Sequence, residues 1–365
     1  MAGVYLSYPF CAQKCTYCNF ASDVLPQALT PRYLAAMAKE ITAHQWQWTP
    51  DTIFLGGGTP SLIDPAALAE VLKHIPGLPW REATMEAAPG SFTADVIRGW
   101  RKAGINRASL GVQSFIPLEI ARTGRKHSAE IVTADVAALR AAGIESFNID
   151  LIAGLAGQTF SSFKQSLDWV EKLEAPHVSV YMLEVDEDSR LGLEILQGGT
   201  RYGAGGVPPV DDIAEFYEFA VERLTQMGIP RYEISNFAKP GYESLHNLKY
   251  WHLDPYIGFG ADAHSLDQGR RWQNVESVAM YLDRMEHGKS PEAESTAAVP
   301  GEERFFVGLR LSEGVEPTPA EWLQFKQPFQ RFLEAGLLEK SGSRLRLTSQ
   351  GVLLSNEVFE EFVNV

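Results

Sequence analysis

At 365 residues, with 45% hydrophobic and 11% aromatic residues, the chain exceeds a typical single domain and predicts one large domain with a smaller one. A net charge of −14 and the lack of any Lys/Arg block argue against nucleic acid as a partner. No apolar run is long enough to span a membrane, and Met1–Ser7 has no basic n-region, so neither a span nor a signal peptide is expected.

The residues at 3–8 (GVYLSY) read as a short strand that leads directly into PFCAQKCTYCNF at 9–20. Thr30-Pro31 opens a helix with Thr30 as N-cap and Pro31 at the first helical position, running to about Gln47. A buried strand at 51–55 (DTIFL) ends in Gly56-Gly57-Gly58-Thr59-Pro60-Ser61, and a helix follows from about Pro65. Strands at 83–87, 107–112, 146–152 and 178–183 then alternate with helices at 94–103, 129–142 and 161–173. Such alternation predicts an α/β fold of parallel βα units. About six units fit before residue 190, fewer than the eight of a complete barrel. Each motif loop follows a strand end, so one mouth should collect the Cys stretch, the Gly run, Glu86, Gln113 and Asp150.

Residues 197–209 (QGGTRYGAGGVPP) read as a mobile loop, followed by a helix at 211–227 and a strand at 231–236. Residues 237–266 read as irregular and rich in aromatics and His. From about Glu302 the pattern becomes two helices, a hairpin around Ser341-Gly342-Ser343 and a helix from Gln350, a winged-helix-like arrangement. The acidic balance favours a cap over the barrel mouth above a DNA-binding role, on analogy. The boundaries expected are 1–236 for the barrel, 237–300 for a connecting region and 301–365 for the C-terminal domain.

The chain has three cysteines, Cys11, Cys15 and Cys18, spaced C-x3-C-x2-C. An odd count does not suit a disulfide framework. Soft thiolates select zinc, copper(I) or an iron–sulfur cluster. Structural zinc takes four ligands and would need a distant His here. A [4Fe–4S] cluster held by three thiolates keeps one iron open for a further ligand. Three buried structural thiols are the remaining alternative. The Gly run, for its part, either makes a tight turn or lets backbone approach a ligand; it matches neither a Walker A loop nor a dinucleotide fingerprint.

The Cys spacing resembles that of the radical S-adenosylmethionine (SAM) superfamily, which implies a [4Fe–4S] cluster on Cys11, Cys15 and Cys18. It also implies SAM on the open iron and an open (β/α)6 barrel. Tyr5, GGGTP at 56–60, Glu86 in MEAAPG, GVQSF at 111–115, Arg125 in GRKHS and NIDLIAGL at 148–155 narrow the likeness to the HemN/HemW branch. That branch contains oxygen-independent coproporphyrinogen III oxidases and haem chaperones. By this resemblance Gly57, Gly58 and Thr59 contact SAM's methionine moiety, and Tyr5, Glu86, Gln113, Arg125 and Asp150 complete its pocket. Carboxylates there accept from ribose hydroxyls or the SAM amino group, and Arg pairs with its carboxylate.

The oxidases carry a further Cys two residues after the third; here that position is Phe20. They also carry an N-terminal extension, whereas ten residues, Met1–Phe10, precede Cys11 here. YESLHNLKYW at 242–251 resembles the chaperones' H-N-x-x-Y-W motif, which makes His246 the haem-binding residue, with His252 and His264 as nearby competitors. Tyr250 and Trp251 could stack on a flat macrocycle. The resemblance implies haem and haem-acceptor proteins as partners and allows a ligand-linked homodimer. The cluster and the lack of disulfide pairing suit a reducing cytoplasm.

Overall fold

Alternation along the strands sets the architecture. Val4 and Leu6, Ile53 and Leu55, Ala83 and Met85, Ala108 and Leu110, Ile149 and Leu151, and Val178 and Val180 are all essentially sealed from solvent. Strand register puts them in common rows, such as Val4 beside Ile53 and Ile53 beside Ala83, so they share the face that the helices cover. Each such Val, Leu or Ile contributes roughly 1.5–3 kcal/mol on burial. The intervening residues form rows on the other face, and those rows are mostly polar: Glu86, Ser109, Asn148 and His177 lie side by side, as do Asp150, Ser179 and Asn236. A polar inner face lined by parallel strands is a binding cavity rather than a packed core.

The computed structural model describes residues 2–18 and 21–363. The elements are β1 (Gly3–Tyr8), α1 (Thr30–Ala43), β2 (Thr52–Gly57), α2 (Pro65–Leu72), β3 (Glu82–Ala87), α3 (Ala94–Lys102), β4 (Arg107–Gln113), α4 (Pro117–Arg122), α5 (Ala129–Ala141), β5 (Ser146–Ala153), α6 (Phe160–Lys172) and β6 (His177–Met182). They continue as α7 (Arg190–Leu196), α8 (Val210–Gln226), β7 (Asn236–Ala238), α9 (Leu245–His252), β8 (Tyr256–Phe259), β9 (His264–Asp267), β10 (Arg270–Asn274), α10 (Val278–Glu286) and β11 (Glu292–Ala297). The C-terminal set is α11 (Pro300–Gly308), α12 (Pro319–Gln324), α13 (Lys326–Glu334), β12 (Leu338–Ser341), β13 (Arg344–Leu347), α14 (Ser349–Leu353) and α15 (Ser355–Val363).

Strands β1 to β6 run parallel in consecutive order, the expected six βα units. The same sheet goes on past β1 as β8, β9, β10 and β11 and past β6 as the antiparallel β7, giving eleven strands among the described residues. The region 237–300 is therefore sheet as much as connection, and 237–266 is not irregular. It holds α9, β8 and β9, with Ser244 capping α9 at the Asn247 N–H and Leu253 closing it in a left-handed conformation. Helix α1 starts differently from the sequence reading. A 3-10 turn at Gln27–Leu29 precedes it, Leu29 is the cap, and the Thr30 hydroxyl lies 3.4 Å from the Tyr8 hydroxyl. The expected strand at 231–236 is reduced to β7, with Arg231 and Glu233 in isolated bridges. The loop at 197–209 contains a 3-10 turn at Arg201–Gly206 whose Gly206 carbonyl accepts the Gly157 N–H. Asn19 and Phe20, which bear on the four-cysteine comparison, lie outside the described residues.

The C-terminal helices close around Phe305, Phe325, Phe329 and Phe362, whose ring centroids lie 5.1–5.9 Å apart, with β12–β13 as a separate hairpin. Helix α11 packs on α9, and its Glu303 pairs with Arg271 of β10. The small domain is thus joined to the inner face of the sheet extension.

Candidate functional site at the barrel mouth

The Cys loop leaves β1 and is held at several points. Cys11 N–H donates to Asp23 O at 2.9 Å, Thr16 N–H to Thr123 O at 3.2 Å, and Leu191 N–H to Thr16 O at 2.8 Å. Among the described residues the three cysteines form no disulfide; Cys11 is buried, which pushes its thiol pKa up, and Cys15 and Cys18 are half-buried. Among the described residues, no three His, Cys, Asp or Glu side chains converge to hold one metal ion.

The Gly run zips against this loop. Gly58 N–H donates to Tyr8 O at 2.7 Å and Thr59 N–H to Phe10 O at 2.9 Å. A Cβ at Gly58 would stand 2.6 Å from Phe10 O and 3.0 Å from Cys11 Sγ, so only glycine lets the two segments meet. Gly57, at φ +113°, donates its N–H to Glu86 Oε2 at 3.1 Å.

Below the loop the expected pocket residues converge. Arg125 and Gln113 both reach over Gly111, each 3.2 Å from where a Cβ there would sit. Gln113 is itself in the left-handed region at φ +68°, a costly conformation for a non-glycine that a register shift at the end of β4 imposes. Arg125 bonds the Tyr17 hydroxyl, lies beside Cys15, and leaves its Nε buried without an acceptor. Burial, then the neighbouring Asp150, push Glu86 up to about 8. Burial raises Asp150 as well, against hydrogen bonding and the opposing pull of Arg107 and Arg125. Burial and the nearby Glu86 and Asp262 raise Tyr5. Tyr5, Glu86 and Asp150 nevertheless keep some solvent-accessible surface, so they line an open cavity. Tyr17 and Asp262 were not legible as site residues; no spacing in the sequence marks either.

His246 is elsewhere. Its Nδ1 lies 2.9 Å from Thr52 Oγ1 and its Nε2 2.8 Å from the Tyr250 hydroxyl, and its ring stacks on Phe54. The ring is fully buried, and burial, with Lys249 and Arg107 nearby, lowers its pKa to about 3. Thr52 and Gly3, against which it packs, are the first residues of β2 and β1. At roughly 3.3 Å per residue, this floor lies about 17 Å from the mouth end of β1. Glu82, at the start of β3, accepts the N–H groups of Leu245 at 2.8 Å and His246 at 3.1 Å. Helix α9 is therefore a plug in the barrel floor, pinned by a carboxylate at its N-terminus.

The model of the radical SAM superfamily matches residues 5–170, and that of the HemN C-terminal domain matches residues 296–354. The heme chaperone HemW of Bacillus subtilis is 34% identical over 386 aligned positions, covering 100% of this chain and 99% of that protein. The chain belongs to the HemW family. The heme chaperone HemW of Escherichia coli is likewise 34% identical, over 72% of this chain and 69% of its own. The fold is also that of coproporphyrinogen III oxidase (HemN) from E. coli, with a TM-score of 0.86 at 21% identity, covering 100% and 90% of the two chains. The barrel and the C-terminal domain of this HemW-family chain are thus those of a radical SAM protein.

Proposed function

We propose that this chain binds haem and passes it to acceptor proteins in the cytoplasm, with a [4Fe–4S] cluster and SAM held at the barrel mouth. The observation that carries the mouth assignment is the buried, unpartnered Nε of Arg125, beside Cys15 and above two carboxyl groups. Cys11, Cys15 and Cys18 would each take one iron of the cluster. Zinc would instead have to draw the sulfurs to about 2.3 Å from a single point. Arg125 would pair with the SAM carboxylate. Glu86 would accept from its ammonium group, losing its proton as it does so. Tyr5, Gln113, Asp150 and the backbone of Gly57, Gly58 and Thr59 complete the pocket. When bound, the reduced cluster supplies one electron for reductive cleavage of SAM.

The haem reading rests on the relatives, which are named heme chaperones. His246 would have to leave both Thr52 and Tyr250 to reach an iron atom. A ligand-linked homodimer belongs to the same reading. The likeness to HemN along the whole chain supports a second one, oxidative decarboxylation of coproporphyrinogen III. An anaerobic assay of the reconstituted protein with coproporphyrinogen III, SAM and a low-potential reductant separates the two. Protoporphyrinogen formation above a Cys15→Ser control would sink the chaperone reading, whereas haem binding without porphyrinogen product supports it.

A further inference from the structure

Arg310 follows α11 and is held at the edge of the barrel by backbone. Its N–H donates to Val307 O at 3.2 Å, Leu311 forms a bridge with Glu233, and Ser312 N–H donates to Tyr232 O at 2.9 Å. From there its guanidinium lies over the Trp251 indole near the end of α9. The separation is 4.6 Å from that ring centroid, and 5.6 Å from the Phe359 ring of α15. The stack fixes the plane of the cation.

The groups placed together here are donors without acceptors. The Trp251 indole N–H and the Arg310 Nε are both sealed from solvent with no hydrogen-bond partner. The two terminal nitrogens of Arg310 are not sealed, yet among the described residues they too make no hydrogen bond and no ion pair. An unpaired, largely buried cation is costly, and a ligand that accepts from it would remove the cost.

This wall belongs to the inner cavity. Tyr181 stands two residues beyond Ser179, whose hydroxyl donates to Asn236 on the inner face, so the Tyr181 ring points inward as well. It is 43% exposed, and its phenol is near enough to Asp150 and Glu86 for both carboxyls to act on it. The same phenol acts on Arg310. Glu233, the acidic neighbour of Arg310, accepts from Asn236 Nδ2 in the same inner row. Arg310 thus reaches from the C-terminal domain to the wall that continues, through Tyr181, from the proposed SAM pocket. The other arginines of this face are engaged or sealed: Arg231 bonds the Tyr217 hydroxyl, Arg107 is buried against Thr84, and Arg125 serves the SAM carboxylate in the reading above.

A guanidinium fork suits a carboxylate or a phosphate. Glu184 and Glu233 stand close by, so repulsion favours a singly charged carboxylate over a dianionic phosphate. The exposed Tyr181 ring beside it suits a flat, apolar body that carries the carboxylate on its rim. We infer that Arg310 takes a propionate carboxylate of haem, with the macrocycle against Tyr181, a placement that rests on the haem reading above and leaves the iron to the α9 motif.

Titration of the full chain with haem and with haem dimethyl ester, whose propionates carry no charge, tests this in the unsubstituted protein, Arg310→Gln and Arg310→Lys, each checked for folding by circular dichroism. The unsubstituted chain should bind haem roughly ten- to hundredfold more tightly than the ester, the range for one hydrogen bond to a charged group. Arg310→Gln should weaken haem binding by that factor and leave ester binding unchanged, and Arg310→Lys should recover part of the preference. Equal affinity of the unsubstituted chain for haem and ester, which needs no variant to measure, overturns the assignment while haem binding stands. A preference for haem that survives intact in folded Arg310→Gln overturns it too. If the unsubstituted chain binds neither, the haem reading itself fails and the assignment falls with it.

Discussion

Glu86→Gln should stabilise the ligand-free protein near neutral pH while weakening its hold on SAM. Burial lifts the Glu86 carboxyl from 4.5 to about 8. The native state therefore keeps this proton while the unfolded chain releases it, and stability contributed here is complete below about pH 4.5 and falls as pH rises toward 8. Near pH 7 the loss reaches about 3 kcal/mol, at about 1.4 kcal/mol per pH unit, as an upper bound because the cavity admits water. Gln is neutral at every pH, has the same shape, and can still accept the Gly57 N–H. Urea unfolding of both proteins, cluster-free and across pH 4.5 to 8.5, should give equal stabilities at the acid end and a variant advantage that grows with pH. Raised carboxyls that do not act on Glu86, Glu40 at about 7 and Asp135 at about 6, titrate equally in both proteins and cancel in the difference. A pH-independent difference would refute the assignment of a buried, protonated Glu86. The variant should bind SAM more weakly by equilibrium dialysis, since the anion that receives its ammonium is gone.

Glu82→Ala leaves the half-buried Leu245 and the buried His246 N–H groups without an acceptor, costing about 2 to 6 kcal/mol; a urea midpoint unchanged from wild type would contradict the floor-plug description. Gly58→Ala forces a methyl group against the Phe10 carbonyl at 2.6 Å, where backbone has no room to retreat. It should cost about 1–3 kcal/mol and lower iron bound per chain after reconstitution, whereas Gly205→Ala, with nothing within 4 Å, should do neither.

The parallel βα units were legible because β1 to β6 carry short apolar runs buried by the helices that follow them. The Cys triplet was legible because its spacing is local. What failed was decided by distant partners. Helix α9 has only eight residues and is fixed by Glu82 and Thr52, more than 160 residues earlier in the chain. Strand β11 reads EAESTA and is nearly all exposed, so it lacks the alternation that marks a half-buried strand. Thr30 had the right chemistry for a cap, but the preceding 3-10 turn moved the helix start and turned its hydroxyl toward Tyr8. His246 shows the same limit at the site: its motif is visible in sequence, whereas the two hydroxyls that occupy its nitrogens are visible only in the fold.

Strand β1 lies inside the sheet, with β2 hydrogen-bonded along one side and β8 along the other. The cysteine loop begins three residues beyond its end. Amides of such an inner strand open only with the whole sheet, so they exchange slowly whether or not metal is present. Were the cluster of the proposed reading lost to oxygen, its anchor would stay intact, and repair would be a matter of reloading iron and sulfide into a standing scaffold rather than of refolding the chain.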